Sequence, residues 1–256
     1  MDLSAWTPHQ EAMLAYHRGN RDASIVVYDD YERDEVPVAY FFREENEFPE
    51  LERVALRHCR GRVLDVGAGS GCHTLALQRR GVEVVAIEVL PGLVEILRDR
   101  GVRDARVATW MDLEAEPFDT VLMMMNGLGL AETLPGLQRF FREARRLVKP
   151  DGQVLADSTD VRVSMEAKAG QSGRSTRPDG RYLGELHFQL EFDGRKGPPF
   201  GQLYVDPETL ARFARNEGWG CELLLPPDEY GHYLARLTPG APANGVAVGR
   251  SASQQP

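Results

Sequence analysis

From residue 61 to residue 157, short continuous apolar runs alternate with segments whose apolar residues recur every three or four positions. RVLDV (62–66), VEVVAIE (82–88), FDTVLMMM (118–125) and QVLAD (153–157) read as strands, with a weaker one at 105–109. Cys72 to Arg80, Pro91 to Arg100 and Leu134 to Leu147 read as helices, and Gly81 and Gly101 stop the first two. Apolar strands buried on both faces, with helices between them, predict a parallel sheet covered on each side.

The flanking segments follow other rhythms. T-P-H-Q at 7–10 reads as a capping box opening a helix to about Arg18. SIVVY (24–28) is β-prone, and Pro49 to Arg60 carries apolar residues at helical spacing. Residues 1–60 are therefore expected to form an N-terminal helical cap segment ahead of a domain over 61–238. Residues 160–205 interrupt that domain: 164–180 reads as a polar loop. Then YLGELHFQLEF (182–192) alternates, with Tyr182, Leu186, Phe188, Leu190 and Phe192 on one face. Asp193-Gly194 predicts a hairpin turn and 200–205 the return strand, so an inserted β-hairpin, or lid, is expected. Asp206-Pro207 opens a helix, and CELLLP (221–226) with HYLARL (232–237) reads as a closing strand pair. The small, polar residues of 239–256 predict a disordered tail.

Composition narrows the function classes. The formal net charge of −9 disfavours a nucleic-acid partner. No apolar run reaches the ~20 residues that span a bilayer, and MDLSAWTPHQ lacks the basic start and apolar core of a secretory signal. Three cysteines without metal-ligand spacing fit free thiols in a cytoplasmic protein that binds no metal.

The densest chemistry is L-D-V-G-A-G-S-G-C-H (64–73), where the first strand turns into the first helix. Gly67, Gly69 and Gly71, with the small Ala68 among them, let backbone approach a ligand. The helix that follows offers unpaired amides. Asp65 can accept from an ammonium group, and Glu88, ending the second strand, can accept from both hydroxyls of a ribose. A dinucleotide fingerprint would read G-x-G-x-x-G; the spacing here is G-x-G-x-G, and a pyrophosphate gains nothing from Asp65.

D-V-G-A-G-S-G, then A-I-E, M-D-L, F-D-T-V-L and L-V-K-P-D-G-Q-V-L resemble, in order and spacing, the class I S-adenosylmethionine-dependent methyltransferase family. The resemblance covers 61–157 closely and 221–237 loosely. It implies a doubly wound, Rossmann-like α/β fold with a seven-stranded sheet whose last strand is antiparallel, and S-adenosyl-L-methionine as the cofactor. It further implies that Asp65 and Gly67 face the methionine moiety, that Gly69 and Gly71 shape the turn, and that Glu88 holds the ribose. Val89 and Leu90 would pack on the adenine, and Asp112 and Leu113 would reach its edge. His73, in the first helical turn, would pack beside the donor.

The acceptor is less legible. Asn126, ending the fourth strand in M-N-G-L, suits the donor's methionine end, the acceptor or a plain turn. It lacks the Pro-Pro-aromatic sequence typical of enzymes that methylate nucleobase amines. Asp157 is the candidate general base, ahead of Asp160, His187 and His232. Tyr40 and Arg43, in the aromatic stretch V-A-Y-F-F-R (38–43), and His187 on the hairpin are candidate acceptor contacts. An enclosed pocket between those two segments favours a small-molecule acceptor. A protein or RNA acceptor, or a protein that binds the nucleoside without turnover, remains as an alternative.

Overall fold

The computed structural model describes residues 2–113, 117–163, 180–240 and 247–248. Five parallel strands form its centre: β3 (Val63–Val66), β4 (Val84–Glu88), β5 (Ala105–Val107), β6 (Phe118–Met123) and β7 (Val148–Thr159). Strands β11 (Trp219–Leu225) and β12 (His232–Pro239) complete the sheet, with β12 antiparallel between β7 and β11. The order is β11-β12-β7-β6-β3-β4-β5. This is the seven-stranded arrangement expected from the sequence, and the two-residue β13 (Ala247–Val248) adds to the outer edge beside β11. The remaining tail residues, 241–246 and 249–256, and the expected polar loop over 164–179 lie outside the described residues.

Burial explains the pattern. Every residue of β3 and β4 is buried, which is why both read as continuous apolar runs. The helices α2 (Glu50–His58), α3 (Cys72–Arg79), α4 (Pro91–Asp99), α5 (Leu134–Ala144) and α6 (Pro207–Asn216) present apolar faces to the sheet. The α6 helix begins as its sequence predicts: the Asp206 side chain accepts from the Thr209 amide at 2.9 Å, with Pro207 in the first turn. Phe141 and Trp219 meet at the base of α5, and Trp219 Nε1 donates to the Phe141 carbonyl at 3.0 Å. Among the described residues no helix is long and apolar enough to cross a membrane.

A second sheet stands over one end of this domain. Its order is β10-β8-β1-β2, all antiparallel, from β1 (Ser24–Tyr28), β2 (Arg33–Pro37), β8 (Glu185–Phe192) and β10 (Phe200–Leu203), with the short β9 (Arg195–Lys196) also on β8. The N-terminal segment is thus not only helical. Its hairpin pairs with the inserted strand, Val27 opposite Leu190, so segments about 160 positions apart share one ladder. On β8, Leu186 and Leu190 are buried and His187 is exposed. Asp193 and Gly194 take φ of 50° and 72°, as a tight primed turn requires. The return strand starts at once, at Arg195, and breaks where Pro198 and Pro199 cannot donate to a ladder. Helix α1 (Thr7–His17) packs between this sheet and α4. Thr7 does not cap it: a 3-10 turn, Leu3–Trp6, runs straight into α1, and Asp2 caps that turn by accepting from the Ser4 amide.

Phe141 is fully buried in the main core. Phe141→Ala is expected to lower unfolding stability by about 3–5 kcal/mol in urea titrations. Phe188 is only half-buried between Phe200 and Tyr204, so Phe188→Ala should cost clearly less in the same measurement.

Candidate functional site

The loop from β3 into α3 is bound to the end of β4. The Gly67 and Ala68 amides both donate to the Ile87 carbonyl, at 3.0 and 3.1 Å. Gly67, Gly69 and Gly71 take φ of 71°, 56° and 87°, which side chains with a Cβ rarely adopt. The three glycines serve different ends. A Cβ on Gly71 would come within 2.7 Å of Leu97, so this glycine allows α3 and α4 to pack. A Cβ on Gly67 or Gly69 would meet nothing within 4 Å, so these two face open space. Glu88, itself buried, stands at the rim. Its Oε2 accepts from the Gly69 amide at 3.1 Å, and its Oε1 accepts from Val89 at 2.7 Å and Leu90 at 3.4 Å. Burial pushes the Glu88 carboxyl up against the lowering effect of those amides. Asp65, buried on β3, accepts from the Thr74 hydroxyl at 2.5 Å, and burial raises its carboxyl too.

The N-terminal segment is tied to this loop. The Phe41 carbonyl accepts from the Ser70 hydroxyl and, at 3.1 Å, from the Cys72 thiol. Arg100, which caps the end of α4, donates to the Ser70 carbonyl at 2.8 Å. Behind the loop, Arg43 donates to Glu52 at 2.7 Å, and His73 Nε2 lies 2.9 Å from the other Glu52 oxygen. Burial would lift the Glu52 carboxyl, but His73 and Arg43 together hold it below the usual range. The Arg43 guanidinium stacks over Tyr40 at 3.7 Å. Arg43 therefore sits in a buried ion network, and Tyr40 forms its outer wall. Glu52 escaped sequence reasoning because its partners come from two other segments.

At the end of β5, Asp112 accepts from the Thr109 hydroxyl at 2.6 Å. Arg146, just beyond α5, donates to the carbonyls of Trp110, Met111 and Leu113 and clamps this loop. Of the pair after β4, Leu90 is buried among Ala12, Met13 and Leu93, so its side chain belongs to the core under α1; Val89 is half-buried.

The ends of β6 and β7 form a second polar group. Met125 and Asn126 take φ of 63° and 59°, strained values for residues other than glycine. Asp157 holds them there, accepting from the Asn126 amide at 3.0 Å and the Gly127 amide at 3.1 Å. Burial raises the Asp157 carboxyl against these bonds. The Asn126 side chain accepts from Ser158 at 3.2 Å and donates to Gln202 of β10 at 3.3 Å, joining the two sheets. Asp29 and Asp157 both act on Tyr204, whose hydroxyl burial pushes up to about 12. His187 is apart from this group, with Nδ1 3.5 Å from Asp30. An aromatic wall connects the two groups: Phe200 to Trp6 at 4.5 Å, Trp6 to His9 at 5.9 Å, His9 to Phe41 at 5.1 Å. Burial lowers His9 to about 4, so the wall is uncharged at neutral pH. Trp6, His9, Gln202 and Tyr204 carried no sequence signal beyond being aromatic or polar.

Residues 64–156 match a family model described as a methyltransferase domain. The SAM-dependent methyltransferase from Bacteroides fragilis, solved in complex with S-adenosyl-L-homocysteine, is 38% identical. It superposes with a TM-score of 0.81 over 93% of this chain and 97% of that one. The ubiquinone biosynthesis O-methyltransferase of Xanthomonas euvesicatoria pv. vesicatoria (strain 85-10) is 38% identical over 165 residues. That match spans 61% of this chain and 62% of the relative, less than two thirds of its length. The CcbJ methyltransferase from Streptomyces caelestis, 17% identical with a TM-score of 0.56 over 77% of this chain and 94% of that one, shares the fold.

The buried network behind the loop yields a stability prediction. Glu52→Gln leaves Arg43 buried without its counter-charge, at a cost of about 3–5 kcal/mol at neutral pH. Glu52 is depressed in the folded state, so its contribution is present above the unfolded carboxyl range and is lost as pH falls through the folded value. Urea unfolding of both proteins should show a gap that narrows in acid; a gap independent of pH would contradict the ionic origin.

Proposed function

Because the chain belongs to the S-adenosylmethionine-dependent methyltransferase family, we propose that it methylates a small-molecule acceptor by in-line displacement. The donor half of this reading is carried by one observation: two glycines with positive φ and open space before them, rimmed by the buried acids Asp65 and Glu88. The residues fit the donor's chemistry. Asp65, fixed by Thr74, receives the ammonium of the methionine moiety, and Gly67, Ala68 and Gly69 present backbone beside it. Glu88 has four acceptor positions and spends three on amides, so one remains for a ribose hydroxyl and the carboxylate is oriented before it arrives. Val89 and the clamped loop bearing Asp112 and Leu113 flank the adenine. S-adenosylmethionine supplies a methyl group on a positively charged sulfur.

The remaining task is alignment of an acceptor against that methyl carbon. Asn126 follows β6, the neighbour of β3, and Asp157 stands near the end of β7 beside it. Asp157 takes the acceptor's proton where one must leave; its raised carboxyl brings it toward neutral pH, where a general base works best. Tyr40, Arg43 and His187 then act around the acceptor rather than on it: Arg43 through Glu52, and His187 from the outer face of β8. Two features favour a small molecule over RNA or a protein. The second sheet and the 3-10 turn at Leu3–Trp6 wall off the space, and the negative field of Asp29 and Asp157 at Tyr204 disfavours phosphates.

Glu88→Ala is expected to weaken S-adenosylhomocysteine binding by about 2–4 kcal/mol in calorimetry, the scale of lost charge-assisted hydrogen bonds. Unchanged affinity would remove Glu88 from the donor site. The same titrations also carry a pH test. Asp65 is raised in the free protein, and only its ionised form pairs with an ammonium. Affinity should therefore fall as pH drops through that raised value, and Asp65→Asn should flatten the dependence.

A further inference from the structure

A cavity of about 240 Å³ lies where the N-terminal 3-10 turn, the 3-10 turn Gly127–Ala131 and β10 meet. It shares Gly129 and Gln202 with the Asn126 group, so it opens beside the ends of β6 and β7. Its walls combine two aromatic rings, Trp6 and Phe200, with the carboxylates Asp2 and Glu132, and none of the described lysines or arginines lines it. Asp2 is committed to Ser4. The Glu132 carboxylate makes no hydrogen bond or ion pair among the described residues. It is held there at φ 63°, an uncommon conformation for a residue with a Cβ. Gly201 of β10 passes directly beneath it, so close that a Cβ there would lie 3.7 Å from the Glu132 Cβ.

These features select a ligand. An unpaired carboxylate beside two rings suits an ammonium, which gains from both the charge and the ring faces. The volume lies below the ~300–1,000 Å³ of pockets for drug-sized ligands. We infer that the acceptor is a small amine, whose ammonium is received by Glu132 beside the rings of Trp6 and Phe200. This rests on the methyltransferase reading and adds the acceptor's class to it. The ammonium is the recognition group, whichever atom is methylated.

The test uses three probes of nearly equal shape: 2-amino-1-phenylethanol, 1-phenyl-1,2-ethanediol and mandelate. Each is titrated by calorimetry into the protein saturated with S-adenosylhomocysteine. The inference predicts that the amine binds at least tenfold tighter than the diol, with mandelate weakest. Glu132→Gln should abolish that preference and leave S-adenosylhomocysteine affinity unchanged. Glu132→Gly relieves the positive φ, so it should melt no lower than the parent and lose the preference equally. Equal binding of the three probes, a preference for mandelate, or no binding of any of them overturns the inference. Failure of S-adenosylhomocysteine itself to bind would instead overturn the reading beneath it.

Discussion

The Glu88 carboxylate is the interaction on which the site depends. It accepts from Gly69 on one oxygen and from Val89 and Leu90 on the other, joining the loop after β3 to the loop after β4. A loop with three residues at positive φ has few bonds of its own to fix it. A buried acid supplies them, and the burial that makes the acid costly also makes its hydrogen bonds strong. The same group therefore shapes the glycine loop and offers the remaining acceptor capacity to a ligand. Asp157 repeats the device one layer over. There, too, a strand-end carboxylate, partly buried, accepts two amides and holds Met125 and Asn126 in strained conformations.

The second sheet and the aromatic residues beside it span the distance between these two strand-end groups. It is built from pieces far apart in the chain, and each piece is anchored to the main domain by polar bonds. Phe41 accepts from Ser70 and Cys72 of the glycine loop, Gln202 accepts from Asn126, and Tyr233 donates to the Val205 carbonyl at 2.6 Å. The aromatic wall from Phe200 to Phe41 runs between those anchors. Any shift of β10 is thus transmitted both to Asn126 and to the 3-10 turn bearing Trp6. In this geometry the Asn126 group and the glycine loop cannot be positioned independently.

Local patterns were legible in the sequence and long-range pairings were not. The parallel strands announced themselves because burial on both faces favours a continuous apolar run, as in Val84 to Ile87. The glycine loop was legible because its requirement for positive φ is met within five residues. The partners of Arg43 were hidden, since Glu52 and His73 lie on different helices and only the fold brings them together. The pairing of β1 with β8 was hidden for the same reason: SIVVY reads as a strand without saying which strand it joins. Thr7 shows a local signal overridden by its context. Its capping box is plausible in isolation, but the chain is already turning from Asp2, so the cap sits five residues earlier.

The central claim is that the open face of the glycine loop is the donor's seat, and Gly69 tests it most directly. Gly69→Ala places its Cβ where nothing in the protein lies within 4 Å, at a conformational cost of about 1–2 kcal/mol. Calorimetric titration of this variant with S-adenosylhomocysteine, alongside its melting temperature, separates a seat from a structural turn. The account predicts a folded protein that melts slightly lower and has lost at least tenfold in affinity. A folded variant that binds S-adenosylhomocysteine as tightly as the parent would contradict it.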